Sequence, residues 1–407
     1  MTSQRAIKMK LIEKIRINKT SPHEWLICLP IIWVFSGQLI NSDSYKAMIV
    51  LSVISLITSV WKYGCKTIIH NITKNKWIQF IGVMLLSTIF YKEYNNSISN
   101  GSLRAYAIMF VFLISFPNKL SNKLFHNLHW LLFISSLFML TYTILNMYYW
   151  NNPRALWDIN PIPYTTISAT VAIGSVCYLL TSKTKQVCNV SLITFIFSFN
   201  SLVIGLSRGP FLALLCSLFI VVIFTQRKKC LKYGRLLSVI AIAVSSIIIH
   251  SSLVTERVRN TENAIETIKQ GGTDTSIGAR LKLWHSSIYS IFEKPILGLG
   301  NEEKSFREEL ASKGVIEQET TQWSHYHNQY INTLVKQGGV GLALLMLLII
   351  YPLTQLKFLD TLPASMVLGV LVIFWVAALT DIPMNHAQPL IMYITLISLN
   401  LLQEKKE

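Results

Sequence analysis

The chain has 407 residues, of which 52% are hydrophobic and 14% charged, and its mean hydropathy is +0.44. Soluble domains carry about 25% charged residues, so this composition excludes an ordinary soluble enzyme. Its 11% aromatic residues exclude a disordered chain. The net charge of +17 does not indicate nucleic-acid binding, because the 37 basic residues alternate with apolar runs and form no single stripe. We therefore expect an all-α polytopic integral membrane protein.

Twelve apolar segments are candidate transmembrane helices, since a spanning helix needs about 20 mainly apolar residues. Their approximate cores are residues 25–40, 47–61, 77–91, 105–117, 126–147, 164–181, 189–206, 210–226, 236–253, 339–356, 363–380 and 389–402. Six basic residues precede the first segment, but no small-residue cleavage site follows Ile40. We therefore expect an uncleaved first span instead of a signal peptide.

The distribution of basic residues predicts the orientation, because Lys and Arg are retained on the cytoplasmic side of a membrane. One set of alternate loops holds 22 of them, whereas the opposite short loops hold only 5. The other 10 lie in residues 254–338, a segment long enough to escape the rule. Both termini are therefore predicted to be cytoplasmic, and the long segment to face outward.

This division gives three parts: transmembrane helices 1–9 in residues 1–253, an outward helical loop in 254–338, and transmembrane helices 10–12 with a tail in 339–407. The loop holds 11 of the chain's 20 acidic residues, so chemistry on a lipid-borne substrate is expected there. Its hydrophobic pattern predicts three helices and a turn between the first two. The predicted helices are 256–269, 280–293 and 302–312, and the turn is Gln270–Asp274.

Arg208, in Ser207-Arg208-Gly209-Pro210, is the single charged residue between Lys185 and Arg227. It falls at the outward face, and an ionisable residue at membrane depth is by default a candidate for function. Its planar guanidinium suits a phosphate. The alternative is an Arg that reaches to the lipid headgroups at a helical hairpin.

Arg280 begins the second predicted loop helix, where Ser276 is a plausible N-cap. Free backbone N–H groups and the Arg280 side chain could together face an anion. In isolation, a solvated Arg or an ion-pair partner is the more common case. Arg154, Lys269 and Lys282 are further outward candidates for phosphate contacts, with a solvated surface role as the alternative.

His325 and His327 directly precede a predicted helix from Gln329 to Gln337, which breaks at Gly338-Gly339. His327 lies four residues before Ile331, so a continuous helix would place it on the apolar face. A helix N-terminus disfavours imidazolium, so the His327 ring would stay neutral and could accept a proton. The alternative is a structural His that caps the helix.

A metal site built from His285, His325 and His327 is the main rival for these histidines. Residues at i and i+2 do not share a helix face, and neither an H-E-x-x-H nor a D-x-D motif occurs in the sequence. We therefore expect no metal and no cofactor. Asp381 is the one acid in the last outward loop, where it would orient a basic group or remain an ordinary loop carboxylate.

Together these motifs resemble the O-antigen ligase and polymerase superfamily of bacterial envelope proteins. Members have about twelve spans and one large periplasmic loop between late spans. Their Ser/Thr-Arg pair is matched by Ser207-Arg208, and their Gly-Ala-Arg stretch by Gly278–Arg280. Their His-Asn pair, nine residues and Gly-x-x-Gly are matched by 327–341. Pro295–Gly300 is similar to another stretch common in the family.

The resemblance implies an inverting, metal-independent glycosyltransferase in the inner membrane of a Gram-negative bacterium, with its site on the periplasmic face. It would move O-antigen from undecaprenyl diphosphate to the lipid A-core oligosaccharide. His327 would take the proton of the acceptor hydroxyl, while Arg208 and Arg280 would hold the diphosphate. Supporting residues would be His325, Asn328, Gly338, Gly341 and Asp381.

Three other functions stay open. A polymerase of the same superfamily would use the same donor with a second lipid-linked glycan as acceptor, although the spacing after His327 favours a ligase. A more distant relative would transfer glycans to proteins. A flippase or transporter would also have about twelve spans, but charged or broken helices are expected near the midplane of such a protein.

Overall fold

A computed structural model describes residues 21–229, 231–270 and 275–403, and no β-strand occurs in these ranges. The basic residues Arg5 to Lys19, Cys230, most of the predicted turn (271–274) and Lys405 and Lys406 lie outside them. The α-helices of the described chain are α1 (Pro22–Val34), α2 (Ala47–Tyr63), α3 (Cys65–Lys74), α4 (Lys76–Asn95), α5 (Asn100–Ser115), α6 (Asn118–Ile144), α7 (Pro161–Thr181), α8 (Lys185–Ile204), α9 (Arg208–Arg227), α10 (Tyr233–Ile249), α11 (Ser251–Lys269), α12 (Ser276–Glu293), α13 (Glu303–Ser312), α14 (Gln329–Gln355), α15 (Thr361–Ala377) and α16 (Ala387–Leu401).

Six helical segments of the described chain are long and apolar enough to cross a membrane. They are Ser44–Tyr63, Asn118–Tyr149, Pro161–Thr181, Lys185–Ile204, Arg208–Arg227 and Gln329–Phe358. A seventh would be the pair α10 and α11, bent by 82°, so the predicted span 236–253 is straight only to Ile249. The shorter apolar helices α5, α15 and α16 also coincide with predicted spans. The chain is a helical membrane protein, and the number of twelve spans remains a prediction.

Helix α7 lies at the centre of the bundle, packed by α6, α8, α9 and α15. Small and hydroxyl side chains let the neighbouring backbones approach closely, the usual basis of helix association in membranes. At Gly174 an added Cβ would lie 3.1 Å from Leu132 Cδ1. On the outer faces, large apolar side chains such as Ile57, Leu86 and Phe219 are exposed, as a lipid-facing surface requires.

The predicted outward loops meet at one end of the bundle. The backbone N–H of Ser42 donates to Asp158 Oδ2 over 2.6 Å, which joins the loops after α1 and α6. Gln388 Nε2 donates to the carbonyl of Ser42 over 3.1 Å, and Ser102 Oγ to that of Asn385 over 3.0 Å. These bonds tie the first, second, third and last outward loops into one surface.

The predicted cytoplasmic loops make a separate set of contacts. Lys123 Nζ lies 3.1 Å from Glu24 Oε2. Arg235 Nη1 donates to the carbonyls of Leu179 and Ser182 over 2.8 and 2.6 Å. Each set of loops is thus joined by contacts of its own, as alternating topology predicts.

Two glycines lock the outward loop onto α14. Gly338 has a φ of +64° and breaks α14 into two helices, which confirms the break predicted there. Gly298 has a φ of +74°, and a Cβ on it would lie 2.4 Å from Gln337 N. The N–H of Gly339 donates to the carbonyl of Pro295 over 2.8 Å. The Pro295–Gly300 stretch thus fills the gap that the helix break opens.

Helix α4 supports this interlock from the other side. Asn95 Nδ2 donates to the carbonyls of Leu297 and Lys336, each over 3.2 Å, and Tyr91 Oη donates to the carbonyl of Gln337 over 2.7 Å. Carbonyls freed at the helix break therefore have donors, as buried backbone groups require.

We expect Gly338→Ala to destabilise the protein by about 2 kcal/mol or more, because φ is positive and the new Cβ would lie 2.2 Å from the Ile296 carbonyl oxygen. Gly339→Ala is the matched control, since its Cβ would meet only the Pro295 carbonyl oxygen at 3.5 Å. Thermal unfolding of the purified proteins in detergent measures both. Equal melting temperatures for the two variants would contradict the interlock.

Candidate functional site

His327 lies in a left-handed turn just before α14. Its φ is +46°, and the helix begins two residues later, where Asn328 Oδ1 accepts from the N–H groups of Tyr330 and Ile331 over 3.0 and 3.1 Å. The expectation that His327 shares a helix face with Ile331 is therefore wrong, because the turn redirects the chain. The helix cap is Asn328, and not His327.

Both histidines contact one buried carboxylate. His325 Nε2 and His327 Nδ1 each lie 3.6 Å from Asp381 Oδ1, and the two rings are 4.2 Å apart between centroids. The edge of Trp323 packs against His327, with centroids 5.2 Å apart. Asp381 is only 3% exposed. A separation of 3.6 Å is longer than a hydrogen bond, so the three groups form a loose cluster that a proton or a ligand could tighten.

Burial alone would raise the pKa of Asp381, but contact with His325 and His327 and the charge of His386 outweigh it and hold the pKa well below its usual range. Burial lowers the pKa of the neighbouring His386, although the charge of Asp381 opposes that shift. Asp381 is therefore a carboxylate anion at neutral pH. A ring N–H that closed this distance to the carboxylate would leave the other nitrogen of the same imidazole free to accept a proton.

Gln329 holds residues 320–328, the histidine segment, against the loop that carries Asp381. Its backbone N–H donates to the carbonyl of Ala378 over 2.7 Å. Its side chain donates to Asn385 Oδ1 over 2.6 Å and accepts from the N–H of Met384 over 3.0 Å. Sequence reasoning missed Gln329, since a Gln in the first turn of a helix carries no signal for such a contact.

A buried ion pair supports the histidine segment from the loop side. Arg307 and Glu303 on α13 are 1% and 2% exposed and are in contact. Arg307 donates to the carbonyls of Thr320 and, over 2.7 Å, Trp323, while Tyr326 Oη donates to Glu303 Oε1 over 2.6 Å. An i,i+4 pair of opposite charges on a loop helix usually lies in solvent, so the burial of this pair could not be predicted from the sequence.

Arg208 reaches from the start of α9 to the loop helices. It donates from Nη1 to Thr261 Oγ1 and from Nη2 to Ser276 Oγ, each over 3.0 Å. The predicted cap of α12 is wrong by one residue, because Thr275 is the N-cap and accepts from the N–H of Gly278. Ser276 is thereby free to bind Arg208.

Arg208 and Arg280 line the same polar pocket of about 170 Å³. Burial lowers the pKa of Arg280, while the negative charge of Asp381 partly restores it. Thr380, next to Asp381, also lines this pocket. The close approach depends on Gly209, where an added Cβ would lie 2.0 Å from Thr380 Oγ1. The pocket and the histidine cluster thus adjoin at 380–381.

Two other arginines line the pocket, Arg154 and Arg257. Arg257 was not among the predicted site residues. It lies one helical turn before Thr261, the partner of Arg208, and shares its face of α11. Lys282 faces elsewhere, since it forms ion pairs with Glu317 and Glu319 at 2.8 and 2.9 Å.

An apolar groove of about 430 Å³ adjoins the arginine pocket. Four residues line both spaces: Ser207, Arg208, Leu212 and Arg257. The remaining groove residues are mainly apolar and include Val203, Leu206, Phe211, Leu215, Ile247, Val254 and Val258. One ligand with a hydrocarbon chain and an anionic end would therefore fit the two spaces together.

In the described chain, His325, His327 and Asp381 are also close enough to ligate a metal, with one ligand atom from each within 4.8 Å of the others. His285 is not part of this cluster and packs against Tyr289, with ring centroids 6.0 Å apart. The alternative metal site would therefore consist of His325, His327 and the carboxylate of Asp381, and His285 would not be one of its ligands.

Residues 193–346 match a protein-family model described as O-Antigen ligase. This segment runs from α8 to α14 and includes Arg208, Arg280 and His327. Over 121 residues the chain is also 28% identical to an uncharacterized protein of Haemophilus influenzae strain Rd. That match covers 29% of this chain and 30% of the relative's length.

We expect Tyr326→Phe to destabilise the protein by about 1–3 kcal/mol, because it deprives a buried carboxylate of its hydroxyl donor. The matched control is Tyr289→Phe, since Tyr289 is 39% exposed. Thermal unfolding compares both with wild type. If Tyr326→Phe melted with the control, the Glu303 carboxylate would not depend on this bond.

Proposed function

We propose that the chain is an O-antigen ligase, because residues 193–346 match the family model described as O-Antigen ligase. It moves a finished glycan from undecaprenyl diphosphate to a hydroxyl of the lipid A-core oligosaccharide. The observation that carries the proposal is the position of Asp381: its carboxylate contacts His325 and His327, and its neighbour Thr380 lines the arginine pocket.

His327 is the proposed general base. The attraction of Asp381 holds Nδ1 as the protonated nitrogen, so Nε2 takes the proton of the acceptor hydroxyl. The acceptor oxygen attacks the anomeric carbon of the donor sugar as the bond from that carbon to the diphosphate oxygen breaks. This single displacement inverts the configuration, and the electron pair leaves with undecaprenyl diphosphate.

Arg208 and Arg280 are proposed to hold the diphosphate. Charge accumulates on the leaving phosphate oxygens in the transition state, and guanidiniums fixed in a partly buried pocket stabilise it without reorganising. Arg208 is already fixed by its bonds to Thr261 and Ser276. A metal ion performs this task in many glycosyltransferases, and here the arginines would replace it.

The donor lipid is supported by the apolar groove that shares Arg208 with the pocket. A polyprenyl chain in this groove would remain in the bilayer while its diphosphate reaches the guanidiniums. The acceptor also keeps its lipid in the membrane, so a site at the membrane surface requires extraction of neither substrate.

The distribution of buried charge favours an enzyme at the interface over a flippase or transporter. In the described chain, the buried charged residues are Glu303, Arg307 and Asp381, and all three lie outside the twelve predicted spans. A transport path is expected to carry charged groups near the midplane. The family resemblance leads us to propose the inner membrane of a Gram-negative bacterium as the location, with the site periplasmic. The basic-residue pattern supports cytoplasmic termini in this proposal.

We expect His327→Ala to abolish glycan transfer, because it removes the proposed general base. A strain lacking the gene is complemented with wild type, His327→Ala or the control His285→Ala, and lipopolysaccharide is compared on gels at matched membrane abundance. Loss of the whole ladder in His327→Ala, with an intact core and accumulated lipid-linked polymer, is the ligase result.

Two other gel patterns would change the conclusion. A core bearing a single repeat unit in the deletion strain would identify a polymerase in place of a ligase. A normal ladder with abundant His327→Ala protein would remove His327 from the mechanism.

We expect transfer by the purified chain to continue in excess EDTA, with a rate within about twofold of the untreated protein, because guanidiniums supply the positive charge. The assay follows glycan transfer from lipid-linked donor to lipid A-core. A loss of activity that Mn²⁺ or Zn²⁺ restores would instead assign His325, His327 and Asp381 to a metal.

A further inference from the structure

The arginine pocket holds more positive charge than two arginines supply. Arg154 and Arg257 line it together with Arg208 and Arg280, and none of the described residues that line it carries a carboxylate. None of the four guanidiniums forms an ion pair with a residue of the described chain. The pocket therefore concentrates four cations around about 170 Å³ of space.

Arg154 and Arg257 approach the pocket from different elements. Arg154 lies in the loop after α6 and donates from Nη2 to Ser207 Oγ over 2.9 Å. Arg257 lies on α11, one turn before Thr261. The Nε atoms of Arg154 and Arg257 are buried and have no hydrogen-bond partner among the described residues. Buried polar atoms are normally satisfied, so two donors at this pocket are left for a ligand.

The four cations act on one another. Burial and the charges of Arg257 and Arg208 lower the pKa of Arg154 to about 10, and Arg257 also lowers the pKa of Arg280. Arg257 is thus the group whose charge reaches the others. Like charges held together in a partly buried space are unfavourable unless an anion accompanies them.

We propose that Arg154 and Arg257 bind the diphosphate of a lipid together with Arg208 and Arg280, and that this set of four selects a lipid diphosphate over a lipid monophosphate. The inference rests on the proposed function for the identity of the donor and deepens it by naming two further binding residues. A lipid is the source because the apolar groove continues from the pocket through Arg208, Leu212 and Arg257.

The test measures binding to the full chain in phosphatidylcholine nanodiscs. The probes are geranylgeranyl diphosphate, geranylgeranyl monophosphate and inorganic pyrophosphate. Wild type is expected to bind the diphosphate lipid about tenfold or more tightly than the monophosphate lipid, since charge-assisted bonds are lost with the second phosphate. Pyrophosphate is expected to bind more weakly than the diphosphate lipid, because it leaves the groove empty.

The variants Arg154→Ala and Arg257→Ala are each expected to weaken binding of the diphosphate lipid about tenfold or more and to reduce its preference over the monophosphate. Arg259→Ala is the matched control, because Arg259 lies on the same helix but is exposed. Without ligand, Arg257→Ala should melt no lower than wild type, because repulsion is relieved. That separates lost binding from lost folding.

The inference is overturned if the Arg154 and Arg257 variants bind like wild type while Arg208→Ala and Arg280→Ala do not; the proposed function would then stand with a two-arginine site. It is equally overturned if wild type does not discriminate between the two lipids. The proposed function fails separately, through an unchanged lipopolysaccharide ladder or a core bearing a single repeat unit in the deletion strain, whatever the binding data show.

Discussion

The site depends on the close backbone contact between the Pro295–Gly300 stretch and the helix break at Gly338. One glycine on each side of this contact, Gly298 and Gly338, has a positive φ and no room for a Cβ. Without this contact, the outward loop would have no fixed position against α14. The contact sets where the first half of α14 begins, and the histidines directly precede that point.

The histidine segment is then held from two sides by buried polar groups. Arg307 binds two of its carbonyls, and Gln329 joins it to the loop of Asp381. Each of these buried groups would be costly if left unpaired. The cost restricts the segment to one conformation, and a proton-transfer group requires such a fixed position.

Electrostatics links the two halves of the site. In the described chain, Asp381 is the one buried carboxylate at this end of the bundle. Its negative charge attracts the imidazoles on one side and Arg280 on the other. A single anion between bases and cations can orient the histidines without neutralising the pocket. The excess of guanidiniums over carboxylates stays available for an anionic substrate.

The sequence alone determined the helical membrane class, because a membrane span is recognised from its own apolar composition. It also located the break at Gly338 and the separation of α8 from α9 at Ser207, because Gly and Pro act on the local backbone. It also selected Arg208, Arg280, His327 and Asp381 as residues of interest. Only the tertiary structure decided that these adjoin, that His327 lies in a left-handed turn outside the helix, and that Arg257 and Gln329 belong to the same region. Those facts depend on contacts between segments far apart in the chain, and periodicity within one segment carries no information about them.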